Sequence, residues 1–257
     1  MASIAVWIGF ALASKSILIN LPALLAMLSA FLICGAGQSI NDYFDRKIDA
    51  RLHPKRIIPS KKLSAQTVFW YSISLFLAGI IISWFLNVYA FLIASLFALL
   101  LFLYSSVMKK IKFLGNWVVA LGTGITFIYG ATASLTGLGY AVYPFILAVF
   151  VNVIREMTKD LEDLKIEKKQ KISLPQLVGI PRTKFIATVY AAVVLFIAIL
   201  PYYFKVFNAY YLAFILLSVL ILFYSVFLLL KNDFRQAQKF QKIAMLASFI
   251  AFIAALF

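Results

Sequence analysis

Residues 21–49 read LPALLAMLSAFLICGAGQSINDYFDRKID. The run from Leu21 to Ile40 carries no charge and is long enough to cross about 30 Å of hydrocarbon as a helix. No proline or glycine follows Gly37, so the helix is expected to continue through Asn41, Asp42, Asp45 and Asp49. Offsets of three and seven residues place three helical side chains within about 60° of one another. The three aspartates therefore form one wall at the end of a membrane helix. Asp160, Asp163 and Glu167 repeat the spacing, with Glu156 a turn upstream. Counting Glu162, the two segments hold eight of the nine carboxylates, and only Asp233 lies elsewhere.

Outward from these segments the chain is built for lipid. It has 257 residues, of which 64% are hydrophobic, and its mean hydropathy is +0.99. Apolar runs at about 1–16, 20–41, 65–86, 88–107, 113–135, 140–158, 183–204, 208–230 and 241–257 predict an all-α, polytopic membrane protein of about nine spans. Pro22, Pro144 and Pro201 mark helix ends, Gly137 and Gly139 a turn, and Pro175 and Pro181 break the long loop after the sixth span. No separate soluble domain is expected, so residues 1–257 read as a single transmembrane domain. The first run is too brief to span comfortably, and no basic segment precedes it as in a signal peptide. A short or tilted first helix is expected, in a chain whose start lies upstream.

A net charge of +15 would suit nucleic acid, but its distribution excludes that partner. Of the 24 basic residues, 22 fall in loops on one face, and only Lys15 and Lys205 fall on the other. This positive-inside pattern makes the crowded face cytoplasmic, with the N-terminus inside and the C-terminus outside the cell membrane. Both acidic segments share the cytoplasmic side.

Three carboxylates on one helix face near a bilayer repel one another unless a cation intervenes. Magnesium suits them: it takes carboxylate oxygens, keeps waters and shares its shell with substrate phosphates. Two facing walls would hold Mg2+ on a phosphate-bearing ligand. Arg46, Arg56, Arg155 and Lys159, near the acids in sequence, and Lys109, after Tyr104-Ser105 at the end of the fourth span, can balance a diphosphate, arginine with a planar grip and lysine as a point charge. His53 is the sole histidine and Cys34 the sole cysteine, which excludes a His-based zinc or haem set and an intrachain disulfide. Gly122-Thr123-Gly124 lies within a span and reads as a helix-packing surface. Phe127, Tyr129, Tyr143 and Tyr43 fill the core or line a pocket.

The run Asn41-Asp42-x-x-Asp45-x-x-x-Asp49, followed by Pro54-x-Arg56 and Pro59-Ser60, resembles the first signature of the UbiA-type intramembrane prenyltransferases. Arg155-Glu156-x-x-Lys159-Asp160-x-Glu162-Asp163, with Leu174-Pro175 downstream, resembles the second. Tyr104-Ser105 with Lys109, then Gly115-Asn116, is similar to the family's segment after the fourth span. The resemblance implies a nine-helix bundle around a central cavity, with caps over its cytoplasmic mouth. It implies that Asp42, Asp45, Asp49, Asp160 and Asp163 act in catalysis and, with Glu167, hold Mg2+. It also implies that Asn41, Arg46, Arg56, Tyr104, Lys109, Arg155 and Lys159 contact the substrates.

Within the family, the compact loops and the second signature look most like the archaeal members. Those join geranylgeranyl diphosphate to geranylgeranylglyceryl phosphate and form the second ether bond of archaeal lipids. A prenyl diphosphate, a lipid-phosphate acceptor and membrane lipids are thus the implied partners. The sequence departs from the family pattern at His53, Ile57, Ile166 and Glu167 and lacks an N-terminal Arg-Pro-x-Asn segment. An aromatic acceptor, such as hydroxybenzoate or a quinone precursor, is the alternative. A cation transporter would instead place its acids near mid-membrane, and a non-catalytic lipid-binding scaffold would bind without turnover.

Overall fold

The computed structural model describes residues 1–108, 114–164 and 173–257. Those residues form ten α-helices: α1 (Ala2–Ser14), α2 (Leu21–Leu52), α3 (Ala65–Trp84), α4 (Val88–Ser106), α5 (Leu114–Ser134), α6 (Val142–Asp163), α7 (Leu174–Val178), α8 (Ile180–Tyr203), α9 (Ala209–Leu230) and α10 (Phe234–Ala254). Seven of them, α2 to α6 with α8 and α9, are long and apolar enough to cross a membrane. The chain is a multi-pass membrane protein.

The expected count of nine is not reached on length and composition, although all nine predicted segments are helical. With 13 residues, α1 rises only about 20 Å. The first half of α10 carries Arg235, Lys239 and Lys242 among glutamines. By contrast α2 has 32 residues, or about 48 Å of helix. It therefore outruns the hydrocarbon and carries its acidic end beyond it, as the missing helix breakers after Gly37 imply.

Side-chain caps set several starts. Asn20, Ser64, Asn87, Asn208 and Asp233 each accept a backbone N–H from the first turn of the helix they precede, which answers one of its orphan donors. Asn87 also donates to Thr132 O at 3.0 Å and Asn208 to Ala254 O at 3.0 Å, so each cap ties its helix to a neighbour. Pro175 and Pro181 do not merely break the loop. They sit in the first turns of α7 and α8, where a missing N–H costs nothing.

The packing has two cores that meet at α1 and α5. One joins α1 and α5 to α2, α3 and α4, and the other joins them to α6, α8, α9 and α10. The α1–α5 crossing depends on two glycines. A Cβ on Gly9 would lie 2.0 Å from Phe127 O, and one on Gly130 would lie 1.9 Å from Val6 O. Only hydrogen fits there, the close backbone approach that small residues allow between membrane helices. A buried relay ties α5 to α2 and α3: Tyr129 Oη donates to Ser29 Oγ at 2.8 Å, which donates to Gly79 O at 2.8 Å. Gly122 admits the Phe97 ring, and Gly124 admits Phe145 and Val149, so this pair is the packing surface expected. Large apolar side chains such as Leu77, Leu96, Phe196 and Leu220 remain exposed and face the lipid.

Candidate active site

The bundle encloses a cavity of about 490 Å³, lined by α1, α2, α4, α5, α6, α8, α9 and α10. Most of its wall is apolar, with Phe127, Leu147, Val194, Ile215, Phe249 and Phe252 among the lining residues. Its amides and its charged side chain, Gln38, Asn41, Asn152 and Arg155, with Tyr104 and Ser105, lie from the middle towards the C-terminal end of α2, α4 and α6, while the hydroxyls of Thr123, Thr126, Ser218 and Ser248 line it on α5, α9 and α10. Alternate spans run in the same direction, so the first group shares one end of the cavity. The cavity therefore has a mostly apolar depth and a mouth that gathers its amides and its charge. Both acid-bearing helices reach that mouth, α2 through Asn41 and α6 through Arg155.

Among the described residues, the hydrogen bonds to the α2 carboxylates come from their own stretch of chain. Asn41 Nδ2 donates to Asp45 Oδ2 at 2.9 Å. Arg56 Nη1 donates to Asp49 Oδ2 at 2.7 Å and to Asp42 Oδ1 at 3.3 Å. Asp49 is 5% exposed and Asp42 47%, so one guanidinium bridges a buried and an open carboxylate. Arg46 Nη1 donates to Tyr43 O at 2.7 Å, and its guanidinium lies 4.4 Å from the centre of the Tyr43 ring.

On α6 the support comes from other helices. Asp160 is 3% exposed and accepts from Nδ2 of Asn116, a buried residue of α5, at 2.7 Å. Glu156 is buried beside Arg155, and Asp163 is half-buried. On the flank facing α10, Gln241 Nε2 donates to Thr158 Oγ1 at 2.8 Å and Gln238 Nε2 donates to Glu162. Lys159 is exposed, because one residue of helix turns it about 100° from Asp160.

The structure thus gathers Asn41, Tyr104 and Arg155 at one cavity, with Asp42, Asp45, Asp49, Asp160 and Asp163 on the two helix ends that lead to it. It does not turn Lys159 inward, and Lys109 and Glu167 lie outside the described residues. Among the described residues, no three His, Cys, Asp or Glu side chains form a group able to hold a metal ion. Even so, the donors suit a hard divalent cation. They are carboxylates, and Asp42 and Asp49 already share one positive charge, that of Arg56.

Sequence reasoning missed Asn116 as the partner of Asp160, and it missed Gln238 and Gln241. The available signal was an amide side chain placed in or beside an apolar helix, where burial is costly without a specific partner.

The chain matches the UbiA prenyltransferase family over residues 2–253. It is 36% identical to digeranylgeranylglyceryl phosphate synthase of Thermococcus kodakarensis over 238 residues, 91% of this chain and 85% of that one. A solved structure of a digeranylgeranylglyceryl phosphate synthase superposes with a TM-score of 0.84 at 33% identity, covering 99% of this chain and 92% of that one. A UbiA homologue from Archaeoglobus fulgidus, solved bound to GPP and Mg2+, shares the fold at a TM-score of 0.69 and 16% identity, covering 98% and 96%. Family match, sequence and fold agree: the chain belongs to the UbiA prenyltransferase family.

Proposed function

We propose that the whole chain acts as one domain that transfers a geranylgeranyl group from geranylgeranyl diphosphate to geranylgeranylglyceryl phosphate, the reaction named by its relatives. The observation that carries this reading is the lining of the cavity: mostly apolar in depth, with its amides and its charged side chain gathered at the end that both acid-bearing helices reach. An isoprenoid chain suits the depth and a diphosphate suits the mouth.

In this reading Asp42, Asp45, Asp49, Asp160 and Asp163, with Glu167, would hold Mg2+. That ion supplies positive charge against which a diphosphate can leave. Asn41 and Tyr104 line the mouth, and Arg46, Arg56, Lys109 and Lys159 add positive charge around it. Phe127, Phe249 and Phe252 keep water from the prenyl chain, so an allylic cation survives long enough to be captured. The bond between C1 and the diphosphate oxygen breaks, and its electron pair leaves with the diphosphate. The bond that forms joins C1 to the acceptor hydroxyl oxygen, whose proton passes to a carboxylate or to the departing diphosphate. The loop basic residues support a cytoplasmic mouth, with the N-terminus inside and the C-terminus outside.

The test is transfer from labelled geranylgeranyl diphosphate with Mg2+ or EDTA, using geranylgeranylglyceryl phosphate, hydroxybenzoate or no acceptor. Product with the glyceryl phosphate alone, and only with Mg2+, is expected. Product with hydroxybenzoate alone would replace the acceptor and keep the mechanism.

A further inference from the structure

The basic side chains of the described site are not equivalent. Arg56 is engaged by Asp42 and Asp49, Arg46 by Tyr43, and Lys159 lies exposed. Arg155 alone among these lines the cavity. Its Nε is buried without a hydrogen-bond partner, and its Nη1 stands 3.6 Å from Glu156 Oε1, beyond hydrogen-bond length. A buried guanidinium nitrogen left unanswered is costly in the unliganded protein, which singles out a position held for an anion.

The position of Arg155 along α6 says which anion. It precedes Asp160 by five residues, which places it about 7.5 Å further from the acidic end and about 140° round the helix, on the side that lines the cavity. The carboxylates fix the donor's diphosphate at the mouth, and the donor's chain fills the depth. A cation set below the carboxylates therefore lies at the level of the donor's C1, where the acceptor's oxygen must arrive. A guanidinium there, only loosely paired with Glu156 at 3.6 Å, would oppose the positive charge developing on C1, and an acceptor phosphate on Arg155 cancels that repulsion. In a glyceryl phosphate the hydroxyl and the phosphate sit on adjacent carbons, so a phosphate held by Arg155 brings the hydroxyl to C1.

Resting on the transfer reading above, we infer that Arg155 recognises the acceptor's phosphate and so selects a phosphate-bearing lipid over a neutral or aromatic acceptor. It binds the acceptor without taking part in bond making. Arginine suits the task because its planar fork meets phosphate at two points.

The experiment compares wild-type protein with Arg155→Gln and Arg155→Lys. Geranylgeranyl diphosphate is the donor, and geranylgeranylglyceryl phosphate or its dephosphorylated alcohol is the acceptor. Equilibrium binding of the phosphate acceptor is measured in EDTA. With Arg155→Gln, KM and Kd for the phosphate acceptor should rise about 10- to 100-fold, while KM for the donor stays within about twofold. The wild-type preference for the phosphate acceptor over the alcohol should shrink by the same factor. Arg155→Lys, which keeps a point charge and loses the fork, should fall between. A rise in donor KM, or an equal loss with both acceptors, would overturn the assignment of Arg155 and leave the transfer reading standing. Wild-type protein that uses neither acceptor would overturn the transfer reading, and this inference with it.

Discussion

The two acidic helix ends share a spacing but are held in different ways. Among the described residues, the hydrogen bonds to the α2 carboxylates come from nearby in the chain: Asn41 for Asp45, Arg56 for Asp42 and Asp49. At the end of α6 they come from across the bundle, from Asn116 on α5 to Asp160 and from Gln238 on α10 to Glu162, with Gln241 of α10 holding Thr158 beside them. Local contacts on a half-exposed segment can be exchanged without disturbing the fold, whereas buried contacts between helices fix a side chain in place. Asp160 is therefore the anchored acid of the pair of walls, and Asp42 the adaptable one. The same motif thus supplies a rigid side and a responsive side to a single mouth.

The sharpest way to break this contrast is to remove the same chemistry from each wall. Asn116→Ala takes a hydrogen bond from a buried carboxylate and should lower stability by about 1.5–3 kcal/mol, read as a fall of several degrees in the detergent melting temperature. Asn41→Ala removes the equivalent amide from the half-exposed Asp45 and should cost about 0.5–1 kcal/mol. Equal losses in the two variants would erase the distinction.

Arg56→Gln should cost about 1–3 kcal/mol, because the buried Asp49 carboxylate loses its charged partner. It should nonetheless strengthen the stabilisation given by MgCl2 alone, since Arg56 competes with a divalent cation for Asp42 and Asp49. Melting curves with and without MgCl2 report both effects, and an unchanged response to magnesium would show that Arg56 and the ion do not compete.

Much of this site can be read from the sequence, because helical periodicity converts spacing into direction. Asp42, Asp45 and Asp49 follow an apolar run without a helix breaker, and α2 continues through all three. The outward turn of Lys159 follows from the same wheel, although nearness to the acids suggested a substrate contact. The role of Asn116 is not legible in this way. It sits 44 residues from Asp160, and only the packing of α5 on α6 brings them together. The glutamines of α10 were hidden for a second reason. Their helix begins at Phe234, inside a charged stretch that hydropathy assigns to a loop, so the predicted span began only at residue 241. Pro175 and Pro181 show that a proline in a loop can equally mark the first turn of a helix.

The most direct measurement is magnesium-dependent transfer of a labelled geranylgeranyl group to geranylgeranylglyceryl phosphate by Asp42→Ala and Asp160→Ala proteins beside wild type. If the two helix ends serve one site, each replacement should cut transfer about a hundredfold or more, while both proteins remain folded and monodisperse in detergent. Near-normal transfer by either folded variant would contradict a single site shared by the two acidic helix ends.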